Sequence, residues 1–99
     1  MDGGQAPVIA IGDASVDLVA RLDVLPQPGR ASTGGGMEWH IGGTALNFTV
    51  ALSRLGTPAL LLSKVGHDLF GDFILSRLKE EEVDTRFLLR SNLPTAVVV

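Results

Sequence analysis

Two places in the chain carry residue types suited to holding a polyol. The run Gly42-Gly43-Thr44-Ala45-Leu46-Asn47 sets a glycine pair directly ahead of a helical pattern. Without side chains, Gly42 and Gly43 let backbone N–H groups come close to a ligand at a helix start. Asn47 adds two donors and an acceptor, a set that matches a pair of hydroxyls. Spacing alone fits equally well with a polar residue tolerated at a helix start. Asp17 is the second place. It lies five residues beyond Gly12, just past the C-terminal end of an apolar strand. Ligands of open α/β sheets bind along that edge. A carboxylate there can accept hydrogen bonds from two neighbouring hydroxyls, although a lone Asp is ordinarily a solvated surface acid. Asp13 reads as a turn-forming acid.

Other chemistries find little support. No Gly-x-x-x-x-Gly-Lys-Ser/Thr run is present, so there is no P-loop. Gly12 is followed by Asp13-Ala14-Ser15-Val16-Asp17, which is not a dinucleotide fingerprint. Gly34-Gly35-Gly36 reads as a flexible bend. His40 and His67 have no metal-ligand partners nearby in sequence and read as surface residues. Trp39 reads as a substrate contact, a contact to a second subunit, or an exposed edge aromatic. Lys79-Glu80-Glu81-Glu82 reads as a solvated helix face.

These residues need elements to position them. Pro7-Val8-Ile9-Ala10-Ile11 is an apolar strand of the kind covered on both sheet faces. Residues 16–24 alternate in part, Pro26-Gln27-Pro28-Gly29 is a turn, and 32–41 reads as a half-exposed strand. Together they predict a strand pair set apart from the main sheet. The period then changes. Phe48, Ala51, Leu52 and Leu55 form one apolar helical stripe, ended by Gly56 with Pro58 beyond it. Ala59-Leu60-Leu61-Leu62 is the next buried strand. Asp68 is a good N-cap for a second helix with Phe70, Phe73, Ile74 and Leu78 turned inward. Residues 86–89 and 95 onward predict two more strands. Strands alternating with helices give an α/β class: a largely parallel sheet flanked by helices.

Bulk properties set the outer limits. The chain has 99 residues, enough for one small domain or part of a larger one. Hydrophobic residues make up 45%, which supports a packed core. Charged residues make up 19% and the net charge is −3, so nothing draws the chain electrostatically to nucleic acid or an anionic membrane. The N-terminus has no signal-peptide pattern, and no apolar run reaches the ~20 residues of a membrane span. With no cysteine, disulfides and thiolate metal sites are excluded. A cytoplasmic location is the simplest expectation.

The stretch from Gly42 to Thr49, then Gly56, then Gly66, resembles the first signature of the ribokinase-like (PfkB) carbohydrate kinases. Val65-Gly66-His67-Asp68-Leu69-Phe70-Gly71, Val83-Asp84-Thr85, and Ile11-Gly12 followed by Asp17 are similar to further parts of that family. The resemblance covers nearly the whole chain in order. It implies an α/β fold with a small β-sheet lid over the sugar, its strands at about 17–24 and 32–40. Residues 1–99 would then be the N-terminal part of a single kinase domain. Asp17, Gly42, Gly43 and Asn47 would bind substrate hydroxyls. The cofactors implied are ATP, as phosphoryl donor, and Mg²⁺, bound mainly by the rest of the domain. The partner implied is a small-molecule sugar or nucleoside, with a homodimer formed through the lid as a further possibility. Glu82 departs from the family, which usually carries glycine there. If that helix stop needs a left-handed residue, a Glu costs about 1 kcal/mol.

The chain stops at Thr95-Ala96-Val97-Val98-Val99, inside what reads as a buried strand. Truncation before the family's second signature, which supplies the aspartate base and anion hole, is the expectation. On that reading the 99 residues alone are inactive and poorly stable. The alternative is a non-catalytic sugar-binding or dimerisation module.

Overall fold

The computed structural model describes residues 6–31 and 34–99. The chain order is β1 (Val8–Ile11), β2 (Ser15–Arg21), β3 (Gly36–Gly42), α1 (Thr44–Arg54), β4 (Ala59–Gly66), α2 (Leu69–Glu80), β5 (Leu88–Ser91) and β6 (Ala96–Val98). β1, β4 and β5 form a parallel sheet in the order β1-β4-β5. Parallel neighbours need crossovers, and α2 supplies the one between β4 and β5. The second sheet has the order β3-β2-β6. There β2 and β3 pair antiparallel, as expected of a strand pair set apart, and β6 joins β2 in parallel.

Both helices stop by the same device. At the end of α1, Gly56 donates to the Ser53 carbonyl and Thr57 to that of Leu52. At the end of α2, Glu82 donates to Lys79 and Val83 to Leu78. These are Schellman closures, which need a left-handed residue after the cap. Gly56 takes φ 83° without strain, whereas Glu82 is held at φ 61°. The expected strain at Glu82 is therefore present. At the start of α2, Asp68 caps the helix by accepting from the Gly71 N–H at 2.8 Å, as its sequence position predicts.

The core lies between the helices and the two sheets. Val16, Leu46, Leu61, Ile74 and Leu78 are fully buried in it. Ile74 and Leu78 are on the expected inner face of α2, with Phe70 and Phe73 partly buried beside them. Trp39 of β3 lies against both phenylalanines, with ring centroids at 4.8 and 5.4 Å. That contact fixes one face of the second sheet against α2. No helix among the described residues is long and apolar enough to cross a membrane.

Five expectations need correction. The helix α1 begins at Thr44, and its buried residues are Leu46, Thr49 and Val50. Phe48 and Leu55 of the predicted stripe are 51% and 80% exposed. Thr49 can be buried because its hydroxyl donates to the Ala45 carbonyl at 2.7 Å. Secondly, β2 begins and ends earlier than 17–24. Thirdly, the strand expected at 32–40 runs from Gly36 to Gly42; Ser32 and Thr33 lie outside the described residues. Fourthly, β5 starts two residues later than 86, and β6 is exposed, not buried. Fifthly, β1, expected to be covered on both faces, buries only Ala10, while Val8, Ile9 and Ile11 are exposed.

Candidate hydroxyl-binding site

The β2–β3 register decides what stands beside Asp17. Ser15 pairs with Gly42, Asp17 with His40 and Val19 with Glu38. Directly opposed residues of an antiparallel pair project to the same face. Ser15, Asp17, Gly42 and His40 therefore share one face, while Val16, Leu18, Trp39 and Ile41 share the face that meets α2. The Asp17 carboxylate folds over Gly42, where an added Cβ would stand 2.6 Å from both carboxylate oxygens. No side chain fits there, so the glycine is what admits the carboxylate. The Ser15 hydroxyl lies 3.5 Å from Asp17 Oδ1, a long and weak contact. Asp17 is half-buried, which leaves an edge open to a ligand.

Gly43 is the N-cap of α1, with φ 103° and ψ 138°. A Cβ at Gly43 would meet the Asp13 carbonyl oxygen at 2.3 Å. The helix start is thus pressed against the turn that links β1 to β2. Asn47 lies one turn into α1, its N–H bonded to the Gly43 carbonyl. Its exposed side chain opens onto a groove of about 280 Å³ between α1, α2 and the end of β3. His40 is among the residues that line it. The structure therefore joins Asp17 directly to Gly42, seats Gly43 behind them, and sets Asn47 around the corner of the helix start. His40, read from sequence as a surface residue, is indeed exposed. It nevertheless stands opposite Asp17 in the strand pair. The signal that could have shown it is strand parity: His40 precedes Gly42 by two residues and so shares its face.

A chain of polar contacts continues from His40. Its Nε2 lies 3.0 Å from Glu38 Oε2, and Arg21 donates to Glu38 Oε1 at 2.8 Å. The hydrogen bond from His40, then the Arg21 charge, hold the Glu38 carboxyl below its usual range.

A second cleft, about 310 Å³, runs along the C-terminal edge of the parallel sheet. Gly12, Asp13, Lys64, Ser91 and Ala96 are among its walls, and it includes none of the four candidate residues. At its margin Asp68 joins the two sheets. It accepts from the Thr95 hydroxyl at 2.6 Å and the Thr95 N–H at 2.9 Å, while Gly66 donates to the Thr95 hydroxyl at 2.8 Å. The hydrogen bonds from Thr95, then that from Gly71, hold the Asp68 carboxyl down at about 2. Asp68 was legible from sequence as a helix cap, but its bonds to Thr95 were not.

Among the described residues, no group of three or more His, Asp or Glu side chains could hold a metal ion. Asp17, Gly42, Gly43 and Asn47 carry no positive charge that would hold a triphosphate.

A parallel three-stranded sheet with two helices, joined to a small second sheet that carries Asp17, Gly42 and His40 on one face, defines an α/β fold class. Comparison with known proteins narrows it. Residues 5–99 match the pfkB family carbohydrate kinase model. The chain is 36% identical over 81 residues to the ribokinase of Bacillus subtilis, covering 82% of this chain and 28% of that enzyme. Its fold superimposes on the fructokinase of Halothermothrix orenii with a TM-score of 0.77 and 29% identity, over 93% of this chain and 32% of that one. A sugar kinase from Pyrococcus horikoshii, solved in complex with ATP, gives a TM-score of 0.75 and 32% identity over 91% of this chain and 28% of its own. This chain belongs to the pfkB family of carbohydrate kinases. It spans about a quarter of the length of the curated relatives it matches.

Proposed function

We propose that this chain forms the substrate-binding part of a kinase that transfers the γ-phosphoryl group of ATP to a hydroxyl of a sugar or nucleoside. The observation that carries the proposal is the Asp17 carboxylate folded over Gly42 on the face that also bears His40. Asp17 would accept hydrogen bonds from two adjacent hydroxyls, each charge-assisted bond contributing roughly 1.5–3 kcal/mol. Gly42 leaves room for the carboxylate, Gly43 sets the direction of α1, and Asn47 offers its amide to a further hydroxyl. All four act by binding and orientation, which fix a hydroxyl for attack. None of them is asked to take its proton. ATP and Mg²⁺ would be held outside these four residues, which carry no positive charge for a triphosphate. An ATP-consuming reaction of this kind suits the cytoplasm.

Phosphoryl-transfer assays on the full-length protein with D-ribose, D-fructose and adenosine test the proposal. Turnover of at least one is expected, and turnover of none would overturn it. The 99 residues alone should give no turnover above background. Val19, Leu22, Leu25 and Met37 are exposed on the second sheet and its turn, which supports pairing of two copies through that sheet. Analytical ultracentrifugation decides whether they pair.

A further inference from the structure

We propose that His40 is a specificity-determining residue of the same site, which hydrogen-bonds a hydroxyl next to those held by Asp17. The inference rests on the sugar-binding reading of Asp17 and deepens it. His40 is the cross-strand partner of Asp17, so the two Cβ atoms stand on one face roughly 4.5–5.5 Å apart. A ring beside a carboxylate at that spacing reaches the neighbouring carbon of the same polyol.

The imidazole is held in a defined state. Glu38, two residues back on the same face, engages Nε2 at 3.0 Å. A carboxylate only accepts, so Nε2 carries the hydrogen. In the neutral ring this leaves Nδ1 as an acceptor, aimed by the ring's fixed tautomer. Arg21 in turn holds the other oxygen of Glu38 at 2.8 Å and limits its rotation. Arg21, Glu38 and His40 thus orient one acceptor on the face of Asp17. A sugar hydroxyl is the matching donor.

The test uses the full-length protein and whichever of D-ribose, D-fructose and adenosine it turns over fastest. His40→Ala should raise the sugar KM about 3–10-fold, the worth of one neutral hydrogen bond. It should leave kcat, the ATP KM and the melting temperature unchanged. His40→Gln, whose carbonyl can accept in place of Nδ1, should restore part of the loss. Glu38→Ala should raise the sugar KM by less than His40→Ala, because the ring stays but loses its anchor. A His40 that merely supports the sheet would lower the melting temperature and kcat and gain nothing from Gln. That result, or a His40→Ala variant with wild-type sugar KM, overturns the proposal. Asp17→Ala run in parallel separates the two readings. If Asp17→Ala is silent, the Asp17 reading fails; if only His40→Ala is silent, the His40 inference alone fails.

Discussion

Asp17 and Gly42 lie on one face of the β2–β3 pair, and a Cβ on Gly42 would stand 2.6 Å from both oxygens of the Asp17 carboxylate. Side chains do not tolerate such an approach. Gly42→Ala must therefore push the carboxylate off its seat. Gly42 is not in a left-handed conformation, so the fold should survive. The expected result is a sugar KM raised about 10-fold or more, as for one lost charge-assisted bond, with the melting temperature little changed.

Gly43→Ala should behave in the opposite way. Its φ of 103° strains any side chain, and its Cβ would meet backbone oxygen at 2.3 Å, which cannot rotate aside. We expect a stability loss of about 2 kcal/mol or more, read as a lower urea midpoint. Equal effects of the two alanines on stability would contradict this division between adjacent glycines.

Asp17→Ala should weaken sugar use more than Asp17→Asn. Asn keeps the shape and one acceptor, whereas Ala keeps neither. The expected fall in kcat/KM for the sugar is on the order of 10–1000-fold for Ala. The ATP KM should stay within error, because ATP would sit on the other part of the protein. Steady-state kinetics with each substrate varied in turn provide the check.

Glu82→Gly should stabilise the protein. Glu82 ends α2 with φ 61°, in the closure that Gly56 makes at the end of α1 with φ 83°. Removing its Cβ relieves roughly 1 kcal/mol of left-handed strain. The greater freedom of glycine in the unfolded chain offsets part of that gain. A raised urea midpoint is expected, and a lowered one would show that the Glu82 side chain contributes more than its strain costs.

Asp68 gives the fold an acid-sensitive joint. Its folded carboxyl sits at about 2 against an ordinary 3.8, so the unfolded chain binds the proton more readily. The stability this group supplies is present above about pH 4 and is lost as pH falls through about 2. Urea midpoints between about pH 5 and pH 2 should therefore fall more steeply for the wild type than for Asp68→Asn. Parallel slopes would show that the bonds to Thr95 are not made in solution.

Local chemistry determined much of this protein in advance. The apolar run at Val8–Ile11 could be placed as a strand, Asp68 could cap α2, and Gly56 could end α1, because each depends on residues a few positions apart. Asp17, Gly42, Gly43 and Asn47 could be singled out for the same reason. Tertiary structure decided what lies far apart in the chain. Period 3.6 announces an apolar stripe, yet packing against β1 and β4 buried Leu46, Thr49 and Val50 and left Phe48 outside. An apolar β-branched end can join either sheet; here it pairs with β2, just after Thr95, which is hydrogen-bonded to Asp68. The pairing of Asp17 with His40 is of this kind too. A register shifted by two residues would keep His40 on the same face but set a different residue opposite Asp17, and the alternation of neither strand chooses between such registers.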